Sequence, residues 1–495
     1  MDKLGYYYIA LAIYFALMLG IGYYAWRRTK NLDDYLLAGR DLKPGVAALS
    51  AGASDMSGWL LLGLPGAIYV SGLSEAWIAV GLTIGAYLNW QFVAPRLRSY
   101  TQVANDSITV PSFFDNRLKD PTHSVRLVSG IVILVFFTFY VSSGMVSGGK
   151  FFESSFQGDY VWGVVIVGGI TVLYTLFGGF MGATFTDVAQ GLLMLAALIT
   201  VPIVGLTQVG GFGGMISTIE AADPQLLVWS GSFIGIVSAL SWGLGYFGQP
   251  HIIVRFMALR SPRDARAGKW IGIGWMVVSV VGAIFTALVG VAYFQDNPDA
   301  SLEDPETVFL VLSQIFFHPL VAGFVLAAVL AAIMSTISSQ LVVCSSALVE
   351  DLYHLVVRRK LSPQQGVNLG RAGVLIVAIV AAVIAFSRND SILDLVGFAW
   401  SGFGAAFGPI VLLSLFWRKL TWQGALAGIV LGAATVFIWA KVIEPAANIG
   451  LFEIVPGFIV CTVAAVVVSL LTFRSDPEIE KTYDDARLLA KSGAV

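Results

Sequence analysis

Residues 49–59 read Leu-Ser-Ala-Gly-Ala-Ser-Asp-Met-Ser-Gly-Trp, placing Asp55 deep inside an apolar stretch that runs from about 45 to 72. About 20 apolar residues are enough for a helix to cross a hydrocarbon layer of roughly 30 Å. A carboxylate inside such a helix is costly and as a rule marks a pathway for an ion or a solute. Ser50, Ser54, Ser57, Gly52 and Gly58 surround Asp55. Gly and Ser weaken a helix, so an interruption is expected near 55–58. A broken membrane helix exposes carbonyls from its first half, which can bind a cation, and N–H groups from its second half, which can bind a carboxylate. The alternative is a protonated or hydrogen-bonded Asp55 in a Gly-rich packing seam.

The rest of the chain supports the membrane setting. Of 495 residues, 57% are hydrophobic and only 12% charged, against roughly 25% charged in a soluble domain. A soluble fold of this length could not cover its surface with so few charges. Apolar stretches fall near 5–26, 45–72, 74–95, 125–154, 160–180, 184–208, 231–256, 268–294, 319–350, 368–388, 391–416, 421–440 and 451–473, about thirteen transmembrane helices in an all-α membrane protein. The first lacks a basic leader and a small-residue cleavage site, so it reads as a retained span. With the N-terminus outside and the C-terminus inside, 25 of the 29 Lys and Arg residues fall on the cytoplasmic side, and Lys3, Lys150, Arg388 and Lys441 fall outside. That is the asymmetry of the positive-inside rule, and one missed span would scramble it. The acidic loop Asp296, Asp299, Glu303, Asp304 and Glu306 falls outside. No basic run suits nucleic acid. No GxxxxGK[ST] phosphate loop occurs, so active transport would be driven by an ion gradient. Cys344 and Cys461 lie in apolar stretches, and His123, His251, His318 and His354 lack metal-ligand spacing.

A second interruption is expected in the seventh span, where Trp242-Gly-Leu-Gly-Tyr-Phe-Gly-Gln-Pro250 clusters Gly, Pro and aromatics. A proline kink with aromatic packing would look the same, because Gly and Pro are common in membrane helices. The two interruptions lie five spans apart, however. Matching breaks in two halves point to an inverted-repeat transporter. The expected organisation is an extra helix and loop (1–44), a first repeat (45–208), a second repeat (209–417), two extra helices (418–473) and a tail (474–495).

In the ninth span, Ser335 and Thr336 are adjacent hydroxyls on an apolar helix. Such residues often only bond a carbonyl one turn back. At 1.5 Å per residue, Ser54 lies about 14 Å and Ser335 about 22 Å from the cytoplasmic ends of their spans. The two stretches can therefore meet, and hydroxyls facing freed carbonyls would form the oxygen-rich pocket that a hard cation such as Na+ prefers. Tyr140 is mid-span in the fourth helix, as a core residue or facing the cavity. Asp187 starts the sixth span, where an acid is a common helix-start feature or a coupling residue.

The stretches 50–59, Trp242 to His251 and Leu330-Ala-Ala-Ile-Met-Ser-Thr336 resemble bacterial members of the sodium–solute symporter family, as do Lys30 to Arg40 and Gly402 to Pro409. The likeness runs from about residue 5 to 473. The Ser335–Thr336 pair is widespread in that family, and Trp242 to Pro250 is more particular to its proline branch. The resemblance implies a LeuT-like 5+5 inverted repeat in the bacterial cytoplasmic (inner) membrane. It also implies a sodium site from the carbonyls of Ala53, Met56 and Ala332 and the hydroxyls of Ser335 and Thr336. A site for L-proline is implied near Asp55, Ser57, Gly58, Trp59, Tyr140, Trp242, Tyr246 and Pro250, with Arg40 affecting sodium-coupled closure. Aromatic faces suit a compact ring beside an ammonium. Whether Asp55 contacts the imino nitrogen or influences sodium stays open. The expectation is a non-enzymatic symporter with no nucleic-acid or obligatory protein partner. The rivals are the same fold carrying another amino acid, a carboxylate or a sugar, and a membrane sensor that binds a solute without moving it.

Overall fold

The computed structural model describes residues 2–28, 37–353, 362–387 and 391–492. Part of the stretch 30–40 lies outside these residues, as do Arg358, Arg359, Lys360, Arg388 and His354. The described chain is helical apart from its connections, with an isolated parallel bridge between Leu42 and Leu259.

Among the described residues, ten helices are long and apolar enough to cross a membrane by themselves. One of these, Trp59–Val103, folds back through a short 3-10 turn, Gly72–Glu75, and so supplies parts of two spans. Tyr160–Leu176 and the interrupted segment beginning at Phe233 complete the set. The spans are labelled in chain order: α1, Lys3–Arg28; α2, Pro44–Asp55 resuming through Trp59–Gly63 into Leu64–Ser71; α3, from Ala76–Leu88 through Asn89–Val93 into Ala94–Val103; and α4, Ser124–Phe156. Next, α5 is Tyr160–Leu176 and α6 is Gly179–Gln208, with Gly179 at φ 56° and ψ −160° turning the chain between them. Then α7 is Phe233–Ser241 resuming as Pro250–Met257, α8 is Asp264–Asp296, α9 is Pro319–Ser346 and α10 is Pro363–Ala385. The last three are α11, Ile392–Phe416; α12, Trp422–Ile438; and α13, Ile454–Thr472.

Burial separates centre from periphery. The most apolar windows of α9 and α11 are 83% and 89% buried, whereas those of α1, α12 and α13 are only 22–28% buried. An apolar side chain that faces lipid need not be buried in protein, so α1, α12 and α13 are outer helices around a core that includes α9 and α11.

Both expected interruptions are present. Helix Pro44–Asp55 stops at Met56, whose ψ of 72° is non-helical, and the chain resumes as a π-type turn from Trp59. In α7, Trp242–Phe247 tightens to a 3-10 helix, Gln249 is extended, and Pro250 starts a new helix at a position that needs no N–H donor. The first part of α2 packs against α6, α8, α9 and the second part of α7. The bridge at Leu42 (Leu42 N–H to Ala258 O, 3.0 Å; Arg260 N–H to Leu42 O, 3.1 Å) fastens the foot of α2 to the end of α7.

Candidate functional site

The break in α2 and the middle of α9 meet through oxygen. Ser335 Oγ donates to the carbonyl of Ala53 at 2.8 Å and also approaches the carbonyl of Ala332 at 3.0 Å. Thr336 Oγ1 bonds the same Ala332 carbonyl at 3.3 Å. Back-bonding and a shared polar cluster are thus both present: each hydroxyl satisfies its own helix, and Ser335 also reaches across to α2. Ala53, Ala332, Ser335 and Thr336 all lie together and are buried. Met56 sits next to them in the break, with its N–H bonded to Gly52 O at 2.8 Å.

Asp55 is the last helical residue before the break and is buried. Its Oδ2 accepts a short hydrogen bond from Tyr246 Oη of α7, and its Oδ1 has no hydrogen-bond partner among the described residues. Its carbonyl, freed by the break, accepts from Trp59 Nε1 at 3.0 Å and from the N–H of Ser57 at 2.9 Å. The Tyr140 hydroxyl lies near Ser57 and Asp55 without a well-aligned hydrogen bond. Gly58 has Ser147 of α4 so close that a Cβ would fall 2.3 Å from its Oγ, so α4 can only approach the break because that position has no side chain. Asp55, Ser57, Gly58, Trp59, Tyr140 and Tyr246 therefore converge on one polar region, where α2, α4 and α7 come together.

Trp242 and Pro250 are placed differently. Trp242 stacks on Phe452 (ring centroids 5.0 Å apart), and its carbonyl accepts from Trp400 Nε1 at 2.7 Å. Pro250 lines a separate small cavity with Phe180, Val254, Val342 and Asp351. The cavity beside Asp55, lined also by Met56, Asn89, Trp90, Tyr246 and Met276, holds about 20 Å³. That is enough for about one water and too small for an amino acid, so a solute requires the helices to part.

Side chains the sequence did not single out support the α7 break. Asn89 Nδ2 donates to Tyr246 O at 2.9 Å, and Gln249 Nε2 donates to Trp400 O at 3.0 Å. Asn89 and Trp400 thus take up two carbonyls of the α7 break, those of Tyr246 and Trp242, while Gln249 ties the break to a carbonyl of α11; the α2 break is the one turned toward the hydroxyls of α9. Asn89 gave no signal because it lies in a span of unbroken helical pattern.

Asp187 is placed in a fully buried ion pair with Arg255 (3.2 Å). Ser50 Oγ donates to Asp187 at 2.7 Å, and Arg255 also donates to Ser50 Oγ (3.1 Å) and Ser339 Oγ (2.7 Å). Positive-inside sorting grouped Arg255 with loop cations, but it lies inside the helix Pro250–Met257 with no exposure. One sequence cannot tell a terminal Arg that reaches water from one that turns inward to an acid on another helix. Arg40 donates to Thr101 Oγ1 (3.1 Å) and to Ser107 O (2.6 Å) and faces Asp106. It lines a polar cavity of about 590 Å³ that also includes Arg126 and Glu350, on the face that carries the C-terminal helix. On the opposite face, Lys150 pairs with Asp304 (2.7 Å) and Glu306 (2.6 Å), so the acidic loop is anchored to α4.

An all-helical bundle of thirteen spans with two broken helices and a buried oxygen cluster where α2 meets α9 defines an ion-coupled membrane transporter. The chain belongs to the sodium:solute symporter family, whose model matches residues 35–432. It is 54% identical to a high-affinity proline transporter of Bacillus subtilis, over 94% of this chain and 98% of that protein. An osmoregulated proline transporter of the same organism is 51% identical, covering 94% and 95% of the two chains. A sodium/proline symporter of Staphylococcus aureus is 50% identical, covering 97% and 95%. Among solved structures, a substrate-bound, outward-open Na+-coupled sialic acid symporter superposes with a TM-score of 0.80 at 20% identity, covering 96% of this chain and 100% of that one. A closed nucleobase-cation-symport-1 family transporter superposes at 0.53 with 13% identity, covering 91% and 98%. These two likenesses establish the LeuT-like fold. Sodium is the coupling ion of the family, and the chain is a multi-pass membrane transporter.

Proposed function

We propose that this chain imports L-proline together with Na+ by alternating access across the bacterial cytoplasmic membrane, N-terminus outside and C-terminus inside. The cargo is supported by the three proline carriers that match nearly full length at 50–54% identity. The orientation is supported by the distribution of Lys and Arg.

The observation that carries the mechanism is the 2.8 Å bond from Ser335 to the Ala53 carbonyl across the α2 break. Sodium sits between the carbonyls of Ala53, Met56 and Ala332 and the hydroxyls of Ser335 and Thr336. Oxygen ligands of this hard type suit Na+. To admit the ion, the Ser335 hydroxyl hydrogen turns away from Ala53, and both oxygens then face the cation. Holding α2 to α9 in this way fixes Asp55, which lies between the ligands Ala53 and Met56 in sequence, and Ser57, Gly58 and Trp59 just beyond them. The imino acid occupies the region between these residues, Tyr140 and Tyr246, with Trp242 and Pro250 flanking Tyr246 along α7. Asp55 orients the site through its bond to Tyr246, and Arg40 and Asp187 couple closure to the ion. The rocking units are the two five-helix repeats, 45–208 and 209–417.

Uptake of radiolabelled proline into proteoliposomes tests the reading. Accumulation with an inward Na+ gradient and none with K+ in its place is expected. Accumulation that ignores sodium would contradict it, and a labelled-proline signal abolished by a different unlabelled solute but not by excess proline would reassign the cargo.

A further inference from the structure

The face that carries the C-terminal helix has a second polar cavity, unrelated to the transport site. It holds about 420 Å³ between the start of α8, the π turn of α3 and the end of the C-terminal helix Pro477–Ser492. Among the described residues, four cations, Arg263, Arg266, Lys269 and Lys491, line it, and no Asp or Glu does. The acid at the start of α8, Asp264, is engaged by Arg260 at 3.2 Å and does not line the cavity. Arg263 donates to the carbonyl of Ser492 at 2.7 Å, and Lys269 donates to Gln91 at 2.6 Å. Both therefore have neutral partners that leave their charge uncompensated. Arg266 and Lys491 are exposed and have no ion-pair partner among the described residues.

Two features fix the depth and direction of this cavity. Lys269 lies over the rings of Tyr87 (5.0 Å) and Trp270 (4.5 Å). Trp270 is itself 62% exposed, as befits an aromatic residue at the headgroup level. Beyond it, Ile271, Val277, Val278 and Val281 continue along α8 as an exposed apolar stripe. The cavity thus joins a concentration of positive charge to a surface suited to acyl chains, which a free anion would not use. Basic pockets between membrane helices bind anionic lipid headgroups.

We propose that this cavity binds the phosphate headgroup of one anionic phospholipid, whose chains lie along the exposed face of α8. The lipid ties the end of the C-terminal helix to α8 through Arg263, Arg266 and Lys491. The C-terminal helix has ion pairs at its start and middle, where Lys119 pairs with Glu478 and Arg418 with Glu480 and Asp484, and at its end it has the Arg263 hydrogen bond to Ser492.

Native mass spectrometry of the full-length protein, exchanged into mixed phosphatidylglycerol and phosphatidylcholine, reads the site directly without relying on transport. One retained phosphatidylglycerol is expected on the wild type. The double variant Arg266→Gln/Lys491→Gln is expected to lose about 30-fold in preference for it, at roughly fivefold per basic side chain. The charge-retaining Arg266→Lys/Lys491→Arg is expected to keep it. Equal retention by wild type and the Gln variant overturns the site. So does loss of lipid by the charge-retaining variant, which would mean that the substitutions act through the fold. Binding of soluble glycerol phosphate as tight as that of the lipid overturns the lipid as the ligand.

Discussion

Ser335 reaches a carbonyl of the opposing repeat, whereas Thr336 bonds only within its own helix. In the proposed ion site, removing the Ser335 hydroxyl therefore takes away both a ligand and a tether between α2 and α9, and removing that of Thr336 takes away a ligand alone. Ser335→Ala and Thr336→Ala are each expected to raise the sodium concentration for half-maximal uptake about tenfold, the effect of about 1.4 kcal/mol. The proline requirement at saturating sodium should change much less. Unchanged sodium dependence in both variants would remove them from the ion site. Asp55→Ala is expected to abolish sodium-driven uptake, and wild-type sodium dependence in that variant would count against its role. Tyr246→Phe leaves both oxygens of a buried carboxylate without a donor, at a cost of about 1–3 kcal/mol. Thermal unfolding of the purified variant in detergent should reveal the loss, and an unchanged melting curve would mean that the bond contributes nothing.

Among the elements, the break in α7 depends on close packing with α3. A Cβ on Gly85 would lie 2.2 Å from Gly243 O, and one on Gly243 would lie 2.3 Å from Gly81 O. Such contacts need backbone to move, since no flexible side chain can give way. Gly85→Ala is expected to destabilise the protein by about 1–3 kcal/mol, typical of overpacking, and a stability equal to wild type would show that the two helices separate freely. Near the polar cavity of Arg40, Asp351 is fully buried and takes hydrogen bonds from Arg126 Nε (2.8 Å) and Thr109 Oγ1 (2.9 Å). Arg126→Met should cost about 2 kcal/mol, less than a fully buried pair because the arginine is partly exposed. Denaturation that leaves the variant unaffected would contradict that assignment.

Both breaks were legible in the sequence because Gly, Ser and Pro act locally on the backbone, so 55–58 and 242–250 could be placed from composition alone. The approach of Ser335 to α2 was legible from depth, since rise per residue converts position into height in the membrane. What the sequence did not disclose are partnerships between distant helices. Arg255 with Asp187, Asn89 with the Tyr246 carbonyl and Trp400 with the Trp242 carbonyl each join spans far apart in the chain. Each is ordinary in its own helix, and its meaning comes from the neighbour that the fold supplies.

At the scale of the whole molecule, the proposed transport site is sealed. The cavity beside Asp55 holds about one water, Lys150 anchors the acidic loop on one face, and Arg126 and Asp351 pair on the other. Alternating access opens one of these faces at a time. Each net positive charge that crosses a potential of about 100 mV contributes about 2.3 kcal/mol, equivalent to roughly 50-fold accumulation of the cargo. That work reaches the cargo only if the ion and cargo sites are linked, and the link available is the short run of α2 from Ala53 to Trp59. Equilibrium binding of labelled proline to the purified protein, measured in Na+ and in K+ at equal ionic strength, tests this link most directly. Tight binding in sodium, with a loss of at least tenfold in potassium, is the predicted result; equal binding in both salts would contradict the account.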